Sequence, residues 1–204
     1  MIYLLRHGEI EQGEKKRFIG QADLPLNENG LHQACLWQQK LKTGLFEKIY
    51  SSDLNRARQT ALIIAGHQEG KIQLLPALRE INLGEWEGLS VAEAQACFPA
   101  EWQRREKDLV TFRPPGGESF RDLAVRIAPI FNQIVQGLEG DILIVAHAGV
   151  NRVILCQVLG MDLANLFRLG QDYGSLNLLE LKKDDWRVVA MNIPADHSWI
   201  GLRG

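Results

Sequence analysis

Cysteine is scarce in this chain, and the few present form no framework. Cys35, Cys97 and Cys156 are odd in number and widely scattered. That excludes a disulfide scaffold and a paired-cysteine metal motif, and it points to a reduced, cytoplasmic setting. Long apolar runs are missing too: none reaches the roughly 18 residues of a membrane-spanning helix. Met1 leads directly into a strand-like segment, so no signal peptide is expected. Charge of one sign is also lacking. Lys and Arg number 23 against 25 Asp and Glu, for a formal net charge of -2, so no global basic field exists for nucleic acid or a membrane surface. Repeats and low-complexity tracts are absent, and any anion recognition must come from a local cluster.

What is present is ordinary in bulk. The 204 residues are 46% hydrophobic and 24% charged, which suits one domain with a substantial core. Met1 to Leu5 reads as a short buried strand that stops at Arg6-His7-Gly8. Ile10 to Leu26 is a long loop with a basic clump, Lys15-Lys16-Arg17. Asn27 to Gly30 opens a helix over Leu31 to Lys42. A second strand, Phe46 to Tyr50, ends in Ser51-Ser52-Asp53, which offers capping side chains to a helix over Asn55 to Ala65. Ile72 to Leu75 is a short third strand. Leu78 to Gly88, with Glu80, Glu85, Glu87 and Trp86, suits neither helix nor strand and reads as an ordered loop.

Leu89 to Thr111 has helical character and ends at Pro114-Pro115-Gly116-Gly117, which marks an insertion or lid at about 84–118. A long amphipathic helix over Phe120 to Gly137 contains Pro129, where a kink or break is expected. Asp141 to Ala146 is the strongest core strand, apolar at every position from Ile142 to Val145 as expected of burial on both faces. It ends in His147-Ala148-Gly149, and Val150 to Leu159 is the helix that follows. Leu176 to Leu181 and Val188 to Asn192 read as a terminal hairpin or edge pair. The alternation of strands and helices gives a three-layer α/β/α sandwich around a mostly parallel sheet.

Two strands thus end in histidine with glycine close behind. If both lie in one sheet, both imidazoles face the crevice beyond the carboxyl ends of the strands. A strand-to-helix corner brings Arg56 to the same edge, beside Arg6. Two guanidinium groups, two imidazoles and helix N-termini form a pocket suited to a phosphoryl group, because guanidinium matches phosphate oxygens in a bidentate fork. A leaving group needs an acid, and Glu80 or a loop neighbour can supply it.

Four stretches in order resemble the histidine phosphatase superfamily, the phosphoglycerate mutase-like proteins. They are Leu4 to Glu9, Ser51 to Ala61, Leu78 to Gly88 and Val145 to Val150, and together they span nearly the whole chain. The resemblance implies that His7 is the nucleophile and becomes phosphohistidine, while Arg6, Arg56 and His147 bind the phosphoryl oxygens. Glu80 would protonate the leaving alcohol and then activate water, with Glu85 and Glu87 as rivals for that role. No metal or other cofactor is called for, and the partner is a small phosphorylated substrate. Gly8, Arg17, Gly20, Gln21, Glu118 and Ala148 would be substrate-binding positions.

The chain departs from its relatives at Ile10 and Gly13, where many carry Ser or Thr and Asn. Arg17 is a candidate to compensate. Its short length favours a phosphatase over a mutase. Arg17 to Leu26, Pro114 to Phe120 and Tyr173 to Leu176 resemble the subgroup of α-ribazole phosphatase, an enzyme of cobalamin assembly. Trp86, Trp102 and Phe112 are candidates either to stack on a flat base or to form lid core. Broad-specificity and sugar-phosphate phosphatases share the pattern, and a non-catalytic phosphate-binding or phosphoprotein-binding module is the alternative of another class. Whether the chain is a monomer or a homodimer stays open.

Overall fold

In a computed structural model of the chain, residues 1–11, 13, 16–41, 46–136, 139–183 and 185–198 are described. Lys15, Lys42 and Gly137, named above, lie outside them. Six strands form one mixed sheet: β1 Ile2–Arg6, β2 Phe46–Ser51, β3 Ile72–Leu74, β4 Asp141–Ala146, β5 Leu176–Lys182 and β6 Asp185–Ile193. Their order is β3-β2-β4-β1-β5-β6. The pairs β3/β2, β2/β4 and β4/β1 are parallel, while β1/β5 and β5/β6 are antiparallel.

The helices are α1 Glu28–Lys40, α2 Asn55–Ala65, α3 Val91–Cys97, α4 Pro99–Lys107, α5 Phe120–Val135 and α6 Ala148–Leu159. Successive side chains of a strand point to opposite faces, so each central strand feeds two cores. Ile2, Leu4, Ile142 and Ile144 pack with Leu123, Ile127 and Phe131 of α5 and with Val153 and Ile154 of α6. Leu5, Leu143 and Val145 pack with Trp37 of α1 and with Ala57, Ala61 and Ile64 of α2. These are the three layers. Fully burying a side chain such as Phe131 contributes about 2–3 kcal/mol.

Two local expectations are corrected, and one is refined. The α2 N-terminus takes no cap from Ser51, Ser52 or Asp53: its N-cap is Leu54, with no side-chain capping bond. Asp53 is drawn away into a paired hydrogen bond with Arg79, and Asp23 from the long loop accepts the Asn55 N–H at 2.6 Å. The stretch from Leu89 to Thr111 is helical as expected, but in two short helices that divide at Phe98, with Pro99 as the first residue of the second. Pro129 does not break α5, which runs on to Val135. The carbonyl that Pro129 leaves unpaired belongs to Val125 on the solvent face, where the residue is 70% exposed and water can satisfy it.

A third, smaller core lies beside the sheet. Trp86, Ala94 and Phe112 are buried there against Phe18, Phe98 and Trp102. The Trp86 and Trp102 rings stack at 5.5 Å with 23° between their planes. This cluster holds α3 and α4 together over one end of the sheet.

Candidate active site

The strand order brings the motifs together. Arg6 pairs with Ala146 across β1/β4, and Ser51 pairs with Val145 across β2/β4. The ladder runs one step further, with His7 N–H donating to the Ala146 carbonyl at 3.0 Å and Ser52 N–H to the Val145 carbonyl at 3.0 Å. The helix after β1 packs on one face of the sheet and the helix after β4 on the other. Loops that part in this way leave a crevice at the carboxyl ends of the strands.

His7 is buried. Its Nδ1 lies 2.7 Å from the Gly8 carbonyl oxygen, which can only accept, so Nδ1 carries the proton and Nε2 keeps its lone pair. Burial, and then the charges of Arg6 and Arg56, hold its pKa well below the ordinary histidine value, against a smaller opposing effect of the Gly8 carbonyl. The ring is therefore neutral at pH 7 and available as a nucleophile. Gly8 N–H donates to Thr60 Oγ1 at 3.1 Å, and Thr60 donates to the Arg56 carbonyl at 2.8 Å. Thr60 lies inside the second motif but has no role assigned from sequence. It ties the nucleophile's loop to α2.

Gly8 is also a point of backbone crossing. A Cβ there would lie 2.5 Å from the Gly30 carbonyl oxygen, at the start of α1. No side chain fits between the two segments.

Arg56 is buried in the first turn of α2. Its three nitrogens are all committed: Nε to His7 Nε2 at 3.2 Å, and the terminal nitrogens to the carbonyls of Ala22 at 2.6 Å and Gly20 at 2.7 Å. Arg6 donates to the Gln171 carbonyl at 2.7 Å, and its guanidinium carbon lies 3.6 Å from the centre of the Tyr173 ring. Burial lowers the pKa of both arginines, with Tyr173 and Glu80 acting the other way on each. Guanidinium nonetheless stays charged in proteins.

His147 is fully buried, with its ring centre 5.0 Å from that of His7. Among the described residues neither of its nitrogens has a protein partner, and Arg6 Nε is likewise buried without one. Burial first, then His7, Arg56 and Arg6, hold the His147 pKa well below the ordinary value. Unpaired buried donors beside two guanidinium groups are costly unless an anion meets them.

Glu80 faces the same crevice. One carboxylate oxygen accepts the Gly149 N–H at the start of α6 at 3.0 Å, and the other accepts the Ile81 N–H at 2.9 Å. A Cβ on Gly149 would fall 2.4 Å from Glu80 Oε1, so glycine is what lets the carboxylate reach the helix end. The rivals are placed elsewhere. Glu85 is exposed, and the Glu87 carboxylate accepts from the backbone of Gln21 at 2.7 Å and Leu83 at 3.2 Å.

A cavity of about 500 Å³ opens over these groups, lined by Arg6, His7, Arg56, Glu80 and Tyr173 at one end. Ala148 and Gly20 line it as well, and Gly20 serves Arg56 through its carbonyl. Gln21 lies outside the lining and donates to the Glu80 carbonyl at 3.0 Å. Arg17 is at the wall, but its guanidinium donates to the Gly88 carbonyl at 2.7 Å and to Glu93 at 3.1 Å. Glu118 is also at the wall, with both carboxylate oxygens bonded to Arg126 and one to the Asn82 N–H. Ile10 is buried and bridges to Leu26.

Two cations were not singled out from sequence. Arg105 lies over the Trp102 ring at 5.0 Å, and Arg152 lies over Phe167 at 5.2 Å while donating to the Leu169 carbonyl at 3.0 Å. Both line the cavity, and among the described residues neither is within 4.0 Å of a carboxylate oxygen.

Comparison with known proteins gives the family and the fold. Residues 2–194 match the model of the histidine phosphatase superfamily (branch 1). The chain is 35% identical to the bifunctional protein Rv2228c of Mycobacterium tuberculosis over 90% of its own length, and the match spans 50% of that relative. The structure of mycobacterial glucosyl-3-phosphoglycerate phosphatase Rv2419c with VO3 is similar at a TM-score of 0.82 and 30% identity, covering 94% of this chain and 98% of that one. The α-ribazole phosphatase of Shigella flexneri shares the fold at a TM-score of 0.87 and 23% identity, covering 94% of this chain and 95% of that one. The chain belongs to the histidine phosphatase superfamily, branch 1.

Proposed function

We propose that the protein is a phosphomonoester hydrolase that works through a phosphohistidine on His7 and uses no metal. The observation that carries this reading is the pairing of a neutral, buried His7, its Nε2 lone pair fixed by the Nδ1 bond to Gly8, with Arg6 and the buried Arg56 in one cavity. His7 Nε2 attacks phosphorus and the bond to the ester oxygen breaks. Glu80 gives its proton to that oxygen, and the alcohol leaves. Water then attacks the phosphohistidine while Glu80 takes one of its protons, which returns His7, Glu80 and inorganic phosphate. Arg6, Arg56 and a His147 N–H bind the three phosphoryl oxygens as charge shifts onto them.

The narrower substrate reading is α-ribazole 5′-phosphate, supported by the subgroup motifs and by likeness to a protein of that name. The stacking role considered for Trp86 and Phe112 is compatible with it, since both line the cavity while packed in the small cluster beside the sheet. Arg105 and Arg152 favour a second reading: an ester whose alcohol carries a further negative charge, as a phosphoglycerate does.

The test is hydrolysis of an aryl phosphate, α-ribazole 5′-phosphate, phosphoserine and 3-phosphoglycerate with a chelator present. Turnover that survives chelation and ends with His7→Ala supports the chemistry. The ester with the highest kcat/KM decides between the two substrates. Activity lost on chelation, or kept in the variant, contradicts the proposal.

A further inference from the structure

Glu80 sits in a loop with neither helix nor strand to hold it, and a carboxylate that moves a proton must be placed to within a fraction of an ångström. The support comes from α5. Arg126 reaches under the loop and donates to three carbonyls on the approach to Glu80: Ala77 at 2.6 Å, Arg79 at 3.0 Å and Glu80 itself at 3.2 Å. Its remaining donors form a fork with Glu118, at 2.9 Å from Nε to Oε1 and 2.8 Å from a terminal nitrogen to Oε2. Glu118 continues the tie on the far side of Glu80, accepting the Asn82 N–H at 2.9 Å, while its own N–H donates to the Asn82 carbonyl at 2.7 Å.

We propose that the Arg126–Glu118 pair is a positioning device for the proton-transferring carboxylate of Glu80, clamping the loop on both sides of that residue. Arg126 presents five donors in a rigid plane, and the loop and Glu118 use them as a set, which a lysine cannot reproduce. Both side chains are only about a fifth exposed, so the pair is shielded from the screening that weakens a surface ion pair. The assignment also gives Glu118 its employment: it lines the cavity with its oxygens already bound, so it acts on the acid's loop. The inference rests on Glu80 being the proton donor, and its test separates the two ideas.

The readout is kcat/KM, which reports the step up to departure of the alcohol. An aryl phosphate leaves without needing a proton, whereas an alkyl phosphate needs one, so loss of acid catalysis is selective for the alkyl ester. Glu80→Gln sets the reference, with an expected selective loss on the alkyl ester of about 10² to 10⁴. Arg126→Lys and Glu118→Gln are expected to lose about tenfold or more on the alkyl ester and about threefold or less on the aryl ester.

Arg126→Ala extends the series where it folds. The two milder variants, checked by circular dichroism and thermal melting, carry the test if it does not. A selective loss in Glu80→Gln with equal losses on both esters in the clamp variants overturns the positioning role and leaves Glu80 as the acid. An unselective loss in Glu80→Gln overturns the acid assignment and the clamp's purpose with it.

Discussion

Arg56 Nε donates to His7 Nε2 across 3.2 Å, so the lone pair proposed to attack phosphorus is held by the same guanidinium proposed to bind the phosphoryl group. The contact keeps the imidazole deprotonated at Nε2 and aims it into the cavity. A phosphate ester competes for that donor, which frees the lone pair as it engages Arg56. Ligand binding and activation of the nucleophile are thereby one event.

Arg56→Lys tests this coupling. A single ammonium cannot serve His7 and the carbonyls of Ala22 and Gly20 together. The expected loss in kcat/KM is about 10² to 10³, as for removal of one oxyanion donor, with weaker inhibition by vanadate. A variant within threefold of wild type on both measures would show that Arg56 is structural.

Gly149→Ala places a methyl 2.4 Å from Glu80 Oε1. The carboxylate must swing off the helix end while the core of the sheet is untouched. A loss of about tenfold or more in kcat/KM on an alkyl phosphate is expected, against a small loss on an aryl phosphate. Equal activity on both would mean that the Gly149 contact does not set the position of the acid.

The two buried histidines make stability depend on pH in a definite direction. Both have folded pKa values well below the ordinary 6.5, so between the two values the unfolded chain binds protons that the folded chain does not. Stability from this source is complete above about pH 6.5 and is lost as pH falls below it, at up to about 1.4 kcal/mol per pH unit for each histidine. Urea unfolding between pH 7 and 5 should show a slope of up to about 2.7 kcal/mol per unit, reduced by about half in His147→Asn. A flat profile in that window would contradict the buried neutral state of these rings.

The parts of this site that could be read from sequence are those carried by short contiguous runs. His7 and His147 stood at strand ends because an apolar run stops abruptly before each. Arg56 stood in the first turn of a helix, where cations are ill suited to the dipole. What could not be read are contacts between distant segments. Gly149 stood only as the glycine behind His147, and it is the seat of Glu80, 69 residues away. Arg126 lies within an amphipathic helix and was not singled out, yet it gathers three loop carbonyls some 46–49 residues before it. The capping of α2 failed for the same reason, because Arg79 competes for Asp53 and only the fold puts them together.

Gly8→Ala bears on the frame of the site. Its Cβ would meet backbone, the Gly30 carbonyl at 2.5 Å, and backbone cannot step aside as a flexible side chain can. A loss of about 1–3 kcal/mol in unfolding free energy is expected, together with lower activity. Chemical denaturation measures it, and a variant as stable as wild type would show that the β1 and α1 segments can separate.

The most direct measurement of the central claim is to quench the wild-type protein during turnover of a phosphate ester and identify the phosphorylated residue by mass spectrometry under alkaline conditions. The account predicts an acid-labile phosphoryl group on His7, lost in His7→Ala and accumulating when water attack is slowed in Glu80→Gln. A phosphoryl group on another residue, or turnover with none trapped in the slowed variant, would contradict it.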